Sequence, residues 1–228
     1  MKIEDAQIAV LAENLYQELE LWYPLLRLRE AGANVLVVGP TDDQIYASKL
    51  GFPVRADLAA GDLEAAELDA VVIPGGFAPE GMRRHKSMVD LVRNVHDRGG
   101  LVAAICHAGW MLASAGIVRG RKVTCVSIIK DDVINAGGNY VDAEVVRDGN
   151  IITSRLPSDL PVFCHAILDY LEAAPRRSNN GCVLAPSGGR LPVSAEFARP
   201  VFAMMGPRGT ASANYTTMAT SADAGSAH

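Results

Sequence analysis

Short apolar runs alternate, along the first 173 residues, with longer segments whose apolar residues recur at helical spacing. The runs are too short for helices and are almost continuously apolar, as is typical of strands that are buried on both faces. Gly39-Pro40 ends the second run, and Pro74-Gly75-Gly76 ends the third. The pattern predicts four buried strands, at residues 7–12, 34–38, 70–73 and 101–105.

Helical periodicity fills the segments between and after these strands. Glycines follow the first two periodic segments directly, as is common after the last turn of a helix. One stretch differs, because Asp148-Gly149 separates two β-rich runs within residues 145–154 and so predicts a hairpin. The helices are predicted at residues 17–31, 86–97, 110–115 and 159–173.

Alternating buried strands and helices predict an α/β fold with a mostly parallel sheet covered on both faces. Sites in such sheets lie beyond the carboxyl ends of the strands. Residues 14–17, 74–77 and 106–107 all follow strands at that end. We therefore expect these three loops to converge on one crevice.

The composition changes after Ala173. Residues 174–228 are rich in Ala, Ser, Thr, Gly and Pro and have no sustained periodicity. Such a segment cannot bury enough apolar surface to order itself, so we expect a low-complexity, disordered tail. A small appended fold is the alternative. The chain is thus predicted to consist of one domain, residues 1–173, and the tail.

Charge and composition exclude several classes of protein. The net charge is −5, so the chain lacks the excess of positive charge that is typical of nucleic-acid-binding proteins. The apolar runs are far shorter than the 18 or so residues that a membrane helix needs, and the N-terminus does not resemble a signal peptide. The four cysteines form no metal-binding spacing, so we expect reduced thiols, a cytoplasmic protein, no metal and no cofactor. They are Cys106, Cys125, Cys164 and Cys182.

The clearest candidate for chemistry is the stretch LVAAICHAGW, residues 101–110. It predicts a buried strand, a sharp turn that carries Cys106, and the start of a helix. A helix N-terminus and the adjacent imidazole of His107 would both favour the thiolate, which is the nucleophilic form of cysteine. The alternative is a buried structural cysteine, because free cysteine is among the most buried residue types.

Six motifs in order along the chain resemble the ThiJ/PfpI superfamily, and within it the branch of PfpI-type intracellular proteases and deglycases. The resemblance covers residues 7–173 and implies a flavodoxin-like three-layer sandwich. The motifs are LYQELELWYPLLRLREAG, VVIPGGFAPE, AICHAGWMLASAG, RGRKVT, IKDDVINAGGNYVD and DGNIITSRLPSDLPVF.

The resemblance implies a role for each residue of the site. Cys106 falls at the position of the family's nucleophile and His107 at that of its catalytic histidine. Glu80 falls at the position of an acid that orients this histidine from a neighbouring subunit, which implies a homo-oligomer with a shared active site. The backbone N–H groups of Gly76 and His107 fall where the family binds the oxyanion, and Gly75 lies beside them. Preorganised donors of this kind stabilise a tetrahedral oxyanion.

One position departs from the family pattern. The family has a glutamate in the first loop that is hydrogen-bonded to the thiolate, and the matching position is taken to be Gln17. A glutamine amide can donate a hydrogen bond but cannot exchange a proton. Glu18 and Glu13 are near in sequence as substitutes. We therefore expect Gln17 near the site as a neutral donor.

These features favour a cysteine hydrolase that acts on peptide bonds or on glycated amines. The alternative is a non-enzymatic stress-response protein in which Cys106 is reversibly oxidised, and the missing acid at position 17 favours it slightly. A class I glutamine amidotransferase shares the fold and the thiol turn. It is set aside because His165 and His228, the later histidines, have no nearby glutamate in an H-x-E pattern.

Overall fold

The computed structural model describes residues 1–175 of the chain. The predicted tail therefore lies outside the described residues, apart from Ala174 and Pro175. The eleven strands of the described part are β1 (Gln7–Leu11), β2 (Asn34–Gly39), β3 (Ile45–Ala47), β4 (Pro53–Arg55), β5 (Leu58–Ala59), β6 (Ala70–Ile73), β7 (Leu101–Ile105), β8 (Lys122–Val123), β9 (Asn139–Tyr140), β10 (Val145–Asp148) and β11 (Ile151–Ser154). Its six α-helices are α1 (Glu18–Glu30), α2 (Ala78–Met82), α3 (Lys86–Asp97), α4 (Gly109–Ala115), α5 (Lys130–Asn135) and α6 (Leu160–Ala173).

Seven strands form the central sheet, in the order β10-β11-β7-β6-β1-β2-β5. Every pairing in it is parallel except β10 with β11, which form the predicted hairpin around Gly149. Strands β1, β6 and β7 are buried along their whole length. The prediction of a mostly parallel sheet from continuous apolar runs is therefore confirmed, with strand boundaries within one residue.

The helices cover the sheet in two groups. Helix α1 packs against α6, while α4 packs against α2, α3 and α5. Helix α1 buries one stripe of its surface, and Leu21, Leu25 and Leu28 on that stripe are fully covered. The result is the predicted flavodoxin-like three-layer sandwich. Among the described helices, none has the length and apolar character needed to cross a membrane.

The sequence pattern missed the small elements. Strands β3 and β4 form an antiparallel hairpin between β2 and β5, and β8 pairs with β9 in a separate ladder. These strands are two or three residues long, which is too short for an alternation of apolar and polar residues to be visible. Helix α2 has only five residues. The β3–β4 hairpin matters here because the loop between its strands contacts the first loop of the crevice.

Candidate active site

Cys106 lies on a strained turn. Strand β7 ends at Ile105, Cys106 has φ +62°, and residues 106–108 form a single 3-10 turn before α4 begins at Gly109. Residues other than glycine and asparagine rarely adopt this left-handed backbone conformation, which costs them about 1–3 kcal/mol. The turn places the thiol just beyond the carboxyl ends of the parallel strands. The predicted order of strand, thiol-bearing turn and helix is confirmed.

The three predicted loops meet at this thiol. Tyr16 forms an isolated bridge with Gly76, and the N–H of Gln17 donates to the carbonyl of Gly75 over 3.2 Å. A Cβ atom on Gly75 would stand 2.7 Å from Cβ of Cys106. Only a glycine fits such a close approach, so the PGG motif brings its backbone directly against the nucleophile.

Two backbone N–H groups hydrogen-bond to the sulfur of Cys106. They belong to Gly76 and His107, and both lower the pKa of the thiol. Gly76 reaches this position with φ +74°, where a Cβ atom would lie 2.5 Å from the backbone nitrogen of Gln17. These are the two donors that the resemblance assigns to the oxyanion site, and the structure directs both at the reacting atom.

A glutamate that the sequence interpretation did not consider completes the surroundings of the thiol. Glu20 is fully buried at the start of α1. Its Oε2 accepts a hydrogen bond of 2.8 Å from the N–H of Gly75, and the carboxyl interacts with the thiol of Cys106. Among residues 1–175, its other oxygen, Oε1, is buried and has no partner in good hydrogen-bond geometry. The site therefore holds an acid next to the thiol of Cys106.

The assignment of the family's glutamate to position 17 is therefore wrong. The side chain of Gln17 accepts a hydrogen bond of 2.8 Å from the N–H of Glu20, which makes it the N-cap of α1. Its backbone lies near the site glycines, as expected, but the acid beside the sulfur is Glu20. Glu18, one of the two substitutes considered, accepts from the N–H of Leu50 instead, and Glu13 lies against His85.

Burial raises the pKa of both Glu20 and Cys106. Burial raises the pKa of Glu20 to about 7, although the N–H of Gly75 and the thiol partly offset it. Burial, followed by the charge of Glu20, raises the pKa of Cys106 to about 12. The carboxylate form of Glu20 disfavours the thiolate of Cys106, so the thiol keeps its proton at neutral pH. The expected lowering of the thiol pKa is therefore wrong for the resting site.

His107 is a neutral base in contact with the thiol. Its Nδ1 lies 3.3 Å from Sγ of Cys106. Burial lowers the pKa of His107, and the positive charge of Lys49 lowers it further. The indole of Trp110 packs edge-on against the imidazole at 5.2 Å, and its Nε1 donates to Asp132 over 2.8 Å. The ring is thus held beside the sulfur in the form that can accept a proton.

Glu80 lies apart from this cluster within the single chain. It is on the exposed face of α2, with 62 % of its side chain accessible, and pairs with Arg84 over 3.7 Å. In residues 1–175 the structure records no contact between Glu80 and His107. Its assignment as an acid that acts across a subunit boundary stays a prediction.

The other cysteines differ from Cys106 in their surroundings. Cys125 and Cys164 are free and buried, and burial raises the pKa of each to about 12. Cys182 lies outside the described residues. Within residues 1–175, no group of three or more His, Cys, Asp or Glu side chains is arranged to hold a metal ion.

Comparison with known proteins agrees with the fold. Residues 6–170 match the model of the DJ-1/PfpI family, and the chain belongs to that family. It is 44 % identical over 166 residues to a deglycase of Pyrococcus horikoshii, covering 73 % of this chain and 99 % of the relative. It is 41 % identical over 166 residues to deglycase PfpI of Pyrococcus furiosus, with the same coverage.

Solved structures of the family superpose on the described domain. The crystal structure of Drosophila melanogaster DJ-1beta has a TM-score of 0.70 and 31 % sequence identity, covering 73 % of this chain and 90 % of that one. The resemblance inferred from the six motifs is confirmed.

Proposed function

We propose that the protein is a cysteine-dependent hydrolase that releases carbonyl adducts from glycated amines, with peptide bonds as a second class of substrate. The observation that carries this proposal is the set of groups around one strained thiol. Glu20, the imidazole of His107, and the N–H groups of Gly76 and His107 all contact Cys106. The deglycase names of relatives more than 40 % identical support the same class of reaction.

The first step needs a base within reach of the thiol. As the sulfur of Cys106 bonds to the carbonyl carbon of the substrate, the thiol proton passes to the neutral imidazole of His107, 3.3 Å away. The carbonyl oxygen takes the electron pair of its broken π bond. The same addition serves the carbonyl of a glycated amine, where it gives a thiohemiacetal, and the carbonyl of a peptide.

The developing oxyanion needs donors that are already in place. The N–H groups of Gly76 and His107 point at the sulfur, so they are close to any oxygen on the carbon that the sulfur attacks. Such preorganised donors contribute about 3–4 kcal/mol to the stability of an oxyanion. When the carbon–nitrogen bond breaks, the imidazolium of His107 gives its proton to the leaving amine. Water then cleaves the bond between the sulfur and the substrate carbon, which releases the carbonyl fragment and restores the thiol.

Glu20 controls the charge of the sulfur. Its raised pKa, about 7, keeps it partly protonated at neutral pH, unlike an ordinary glutamate. A protonated carboxyl donates a hydrogen bond to the thiolate and stabilises it, whereas the carboxylate form opposes it. The acid therefore assists the nucleophile without adding a second negative charge to the buried site.

The site is also proposed to be shared between subunits of a homo-oligomer. The imidazole of His107 makes one polar contact within the described chain, the one to Cys106. A carboxylate on its other nitrogen would fix the tautomer that accepts at Nδ1, and this is the role proposed for the partner's Glu80. The exposure of Glu80 on α2 leaves it available to a second copy.

The alternative function, an oxidation sensor, loses its main argument. It was favoured by the absence of an acid beside the thiol, but Glu20 supplies that acid. A sensor also needs an exposed thiol of low pKa. Cys106 is only 8 % exposed. The hydrolase is therefore the better supported function.

The deciding experiment compares two substrates on two proteins. Wild type and Cys106→Ala are assayed with methylglyoxal adducts of N-acetyl-lysine and with a fluorogenic peptide. We expect wild type to release the amine from the adduct, and Cys106→Ala to lose about 10³-fold or more of that rate. Equal rates for the two proteins would contradict a nucleophilic Cys106. Faster cleavage of the peptide than of the adduct would reverse the order of the two substrate classes.

The shared site has its own test. Neither Glu80→Ala nor Cys106→Ala is expected to be active alone. Dissociating and mixing the two variants should restore part of the activity, because some interfaces then pair an intact Cys106 with an intact Glu80. Light scattering confirms that mixed oligomers form. No recovery in properly mixed oligomers, or full activity of a monomer, would contradict the shared site.

A further inference from the structure

The rim of the site carries a lysine, Lys49, that the proposed reaction does not use. The ring of Phe77 is half exposed and its centroid lies 6.1 Å from that of the His107 ring. The ammonium of Lys49 lies 5.5 Å from the centroid of Phe77. A positive charge on an exposed side chain thus stands beside the mouth of the crevice, over an aromatic face that attracts it.

The loop that carries Lys49 is fixed to the site through its backbone. The N–H of Lys49 donates to the carbonyl of Tyr16 over 3.0 Å, and Tyr16 in turn bridges to Gly76. The next N–H, of Leu50, donates to Oε1 of Glu18 over 2.7 Å. These hydrogen bonds connect the backbone of Lys49 to the loop before α1 and, through Tyr16, to Gly76 of the oxyanion site.

The charge of Lys49 is not neutralised by a direct partner in the described part of the chain. Residues 1–175 place no carboxylate within ion-pair distance of its ammonium. The charge nevertheless reaches into the crevice, because it lowers the pKa of His107 and of Glu20. It also lowers the pKa of Glu18, on the other side of the loop. The charge of Lys49 is therefore felt by two of the groups that contact the thiol, His107 and Glu20.

We propose that Lys49, held over Phe77, is a specificity-determining residue that binds a carboxylate of the substrate next to Cys106. An ammonium is a compact point charge with three donors, and one positive charge matches a singly charged group. The preferred substrates would then be adducts with a free carboxylate a few atoms from the reacting carbonyl, such as glycated amino acids and acidic peptides. The inference deepens the proposed function and rests on it for the reaction, but not for the binding.

Two alkylating reagents test the binding without turnover. Iodoacetate carries a carboxylate, iodoacetamide is neutral, and both report on the same thiol, so a change in the pKa of Cys106 cancels in the ratio of their rates. Mass spectrometry of the Cys106 peptide gives the two rates. In Lys49→Met we expect the iodoacetate-to-iodoacetamide ratio to fall about fivefold, as for one charge pair in partly solvated surroundings. In wild type the ratio should fall with added salt.

Two further variants separate charge from structure. Lys49→Arg keeps the charge and should keep most of the ratio. Lys2→Met removes an exposed lysine that precedes β1, and so lies at the amino ends of the strands, away from the site. This variant should leave the ratio unchanged. An unchanged ratio in Lys49→Met, or an equal fall in Lys2→Met, would overturn the proposal.

A turnover arm separates this inference from the proposed function. The substrates are methylglyoxal adducts of glycine and of glycinamide, which are both glycated amines and differ by one carboxylate. We expect kcat/KM to favour the acid in wild type and the preference to disappear in Lys49→Met. If wild type processes neither adduct, the proposed function fails, and the alkylation ratio still decides on Lys49. Turnover of both adducts with the same preference in wild type and Lys49→Met would overturn the role of Lys49 alone.

Discussion

Two buried thiols of this protein have the same raised pKa, about 12, but the groups that surround them are very different. Cys164 lies on α6 and Cys106 on the turn after β7. Burial is the largest cause of the rise in both. Cys164 has regular helical backbone, whereas Cys106 has φ +62° and contacts a carboxyl, an imidazole and two backbone N–H groups. Burial alone therefore does not define a nucleophile, and the groups that the fold directs at the sulfur do.

The largest expected effect is that substitution of one thiol abolishes turnover, whereas substitution of the other lowers only stability. We expect Cys106→Ala to lose about 10³-fold or more in turnover while the melting temperature moves by only a few degrees. Cys164→Ala should keep full turnover and lose about 1 kcal/mol of unfolding free energy, because it leaves a small cavity against α1. Steady-state kinetics and urea denaturation on both variants check the pair. A comparable loss of turnover in Cys164→Ala would contradict the distinction.

The next effect is the pH dependence of the unfolding free energy, which comes from the acid beside Cys106. The pKa of Glu20 is about 7 in the folded protein, compared with 4.5 for an unperturbed glutamate side chain. Because the folded state favours the protonated acid, the stability that Glu20 contributes is complete below about pH 4.5 and is lost as the pH rises through 7. Glu20→Gln has no such ionisation. The stability of wild type relative to Glu20→Gln should therefore fall by about 3 kcal/mol between about pH 4 and pH 8.

Urea denaturation of both proteins at the two pH values measures this difference. Glu18→Gln is the matched control, since Glu18 is two residues away, is only partly buried, and has a pKa that is lowered instead of raised. Its effect should be small and of opposite sign. If wild type and Glu20→Gln have parallel pH profiles, Glu20 does not carry the buried proton.

The smallest expected effect separates Gln17 from Glu20. Because Gln17 caps α1 through its side-chain oxygen, a glutamate there can accept the same hydrogen bond from the N–H of Glu20. Gln17→Glu should therefore leave the pH profile of iodoacetamide alkylation at Cys106 almost unchanged. It should change the unfolding free energy by less than about 0.5 kcal/mol. A clear shift of the alkylation profile would return Gln17 to the immediate surroundings of the thiol.

The long elements and the meeting of the three loops could be predicted from the sequence, because each rests on a repeated pattern. Continuous apolar runs identified the buried strands, and parallel strands bring their carboxyl ends to one edge. The turn at Cys106 was visible as an apolar run that stops at a thiol and small residues. Short ladders such as β3–β4 carry no such repetition, so the loop that holds Lys49 was not anticipated.

Glu20 was missed because the acid was sought next to the loop instead of on the helix. It lies on the buried stripe of α1, four residues before Pro24 and eight before Leu28. A carboxylate at a core position of an amphipathic helix is unusual and points to a functional or paired group. That signal was present in the sequence. The identity of its partner was not, since the contact with Cys106 depends on how β6 and β7 place the glycines between them.

The left-handed conformation of Cys106 has a consequence for selection. A glycine at position 106 would relieve about 1–3 kcal/mol of strain and lose only about 0.5–1 kcal/mol more backbone entropy on folding, so the most heat-resistant variants at this position would be inactive ones. A library screened for thermal resistance alone should therefore accumulate Cys106→Gly early. A screen that also demands turnover should retain the cysteine and find its gains elsewhere in the chain.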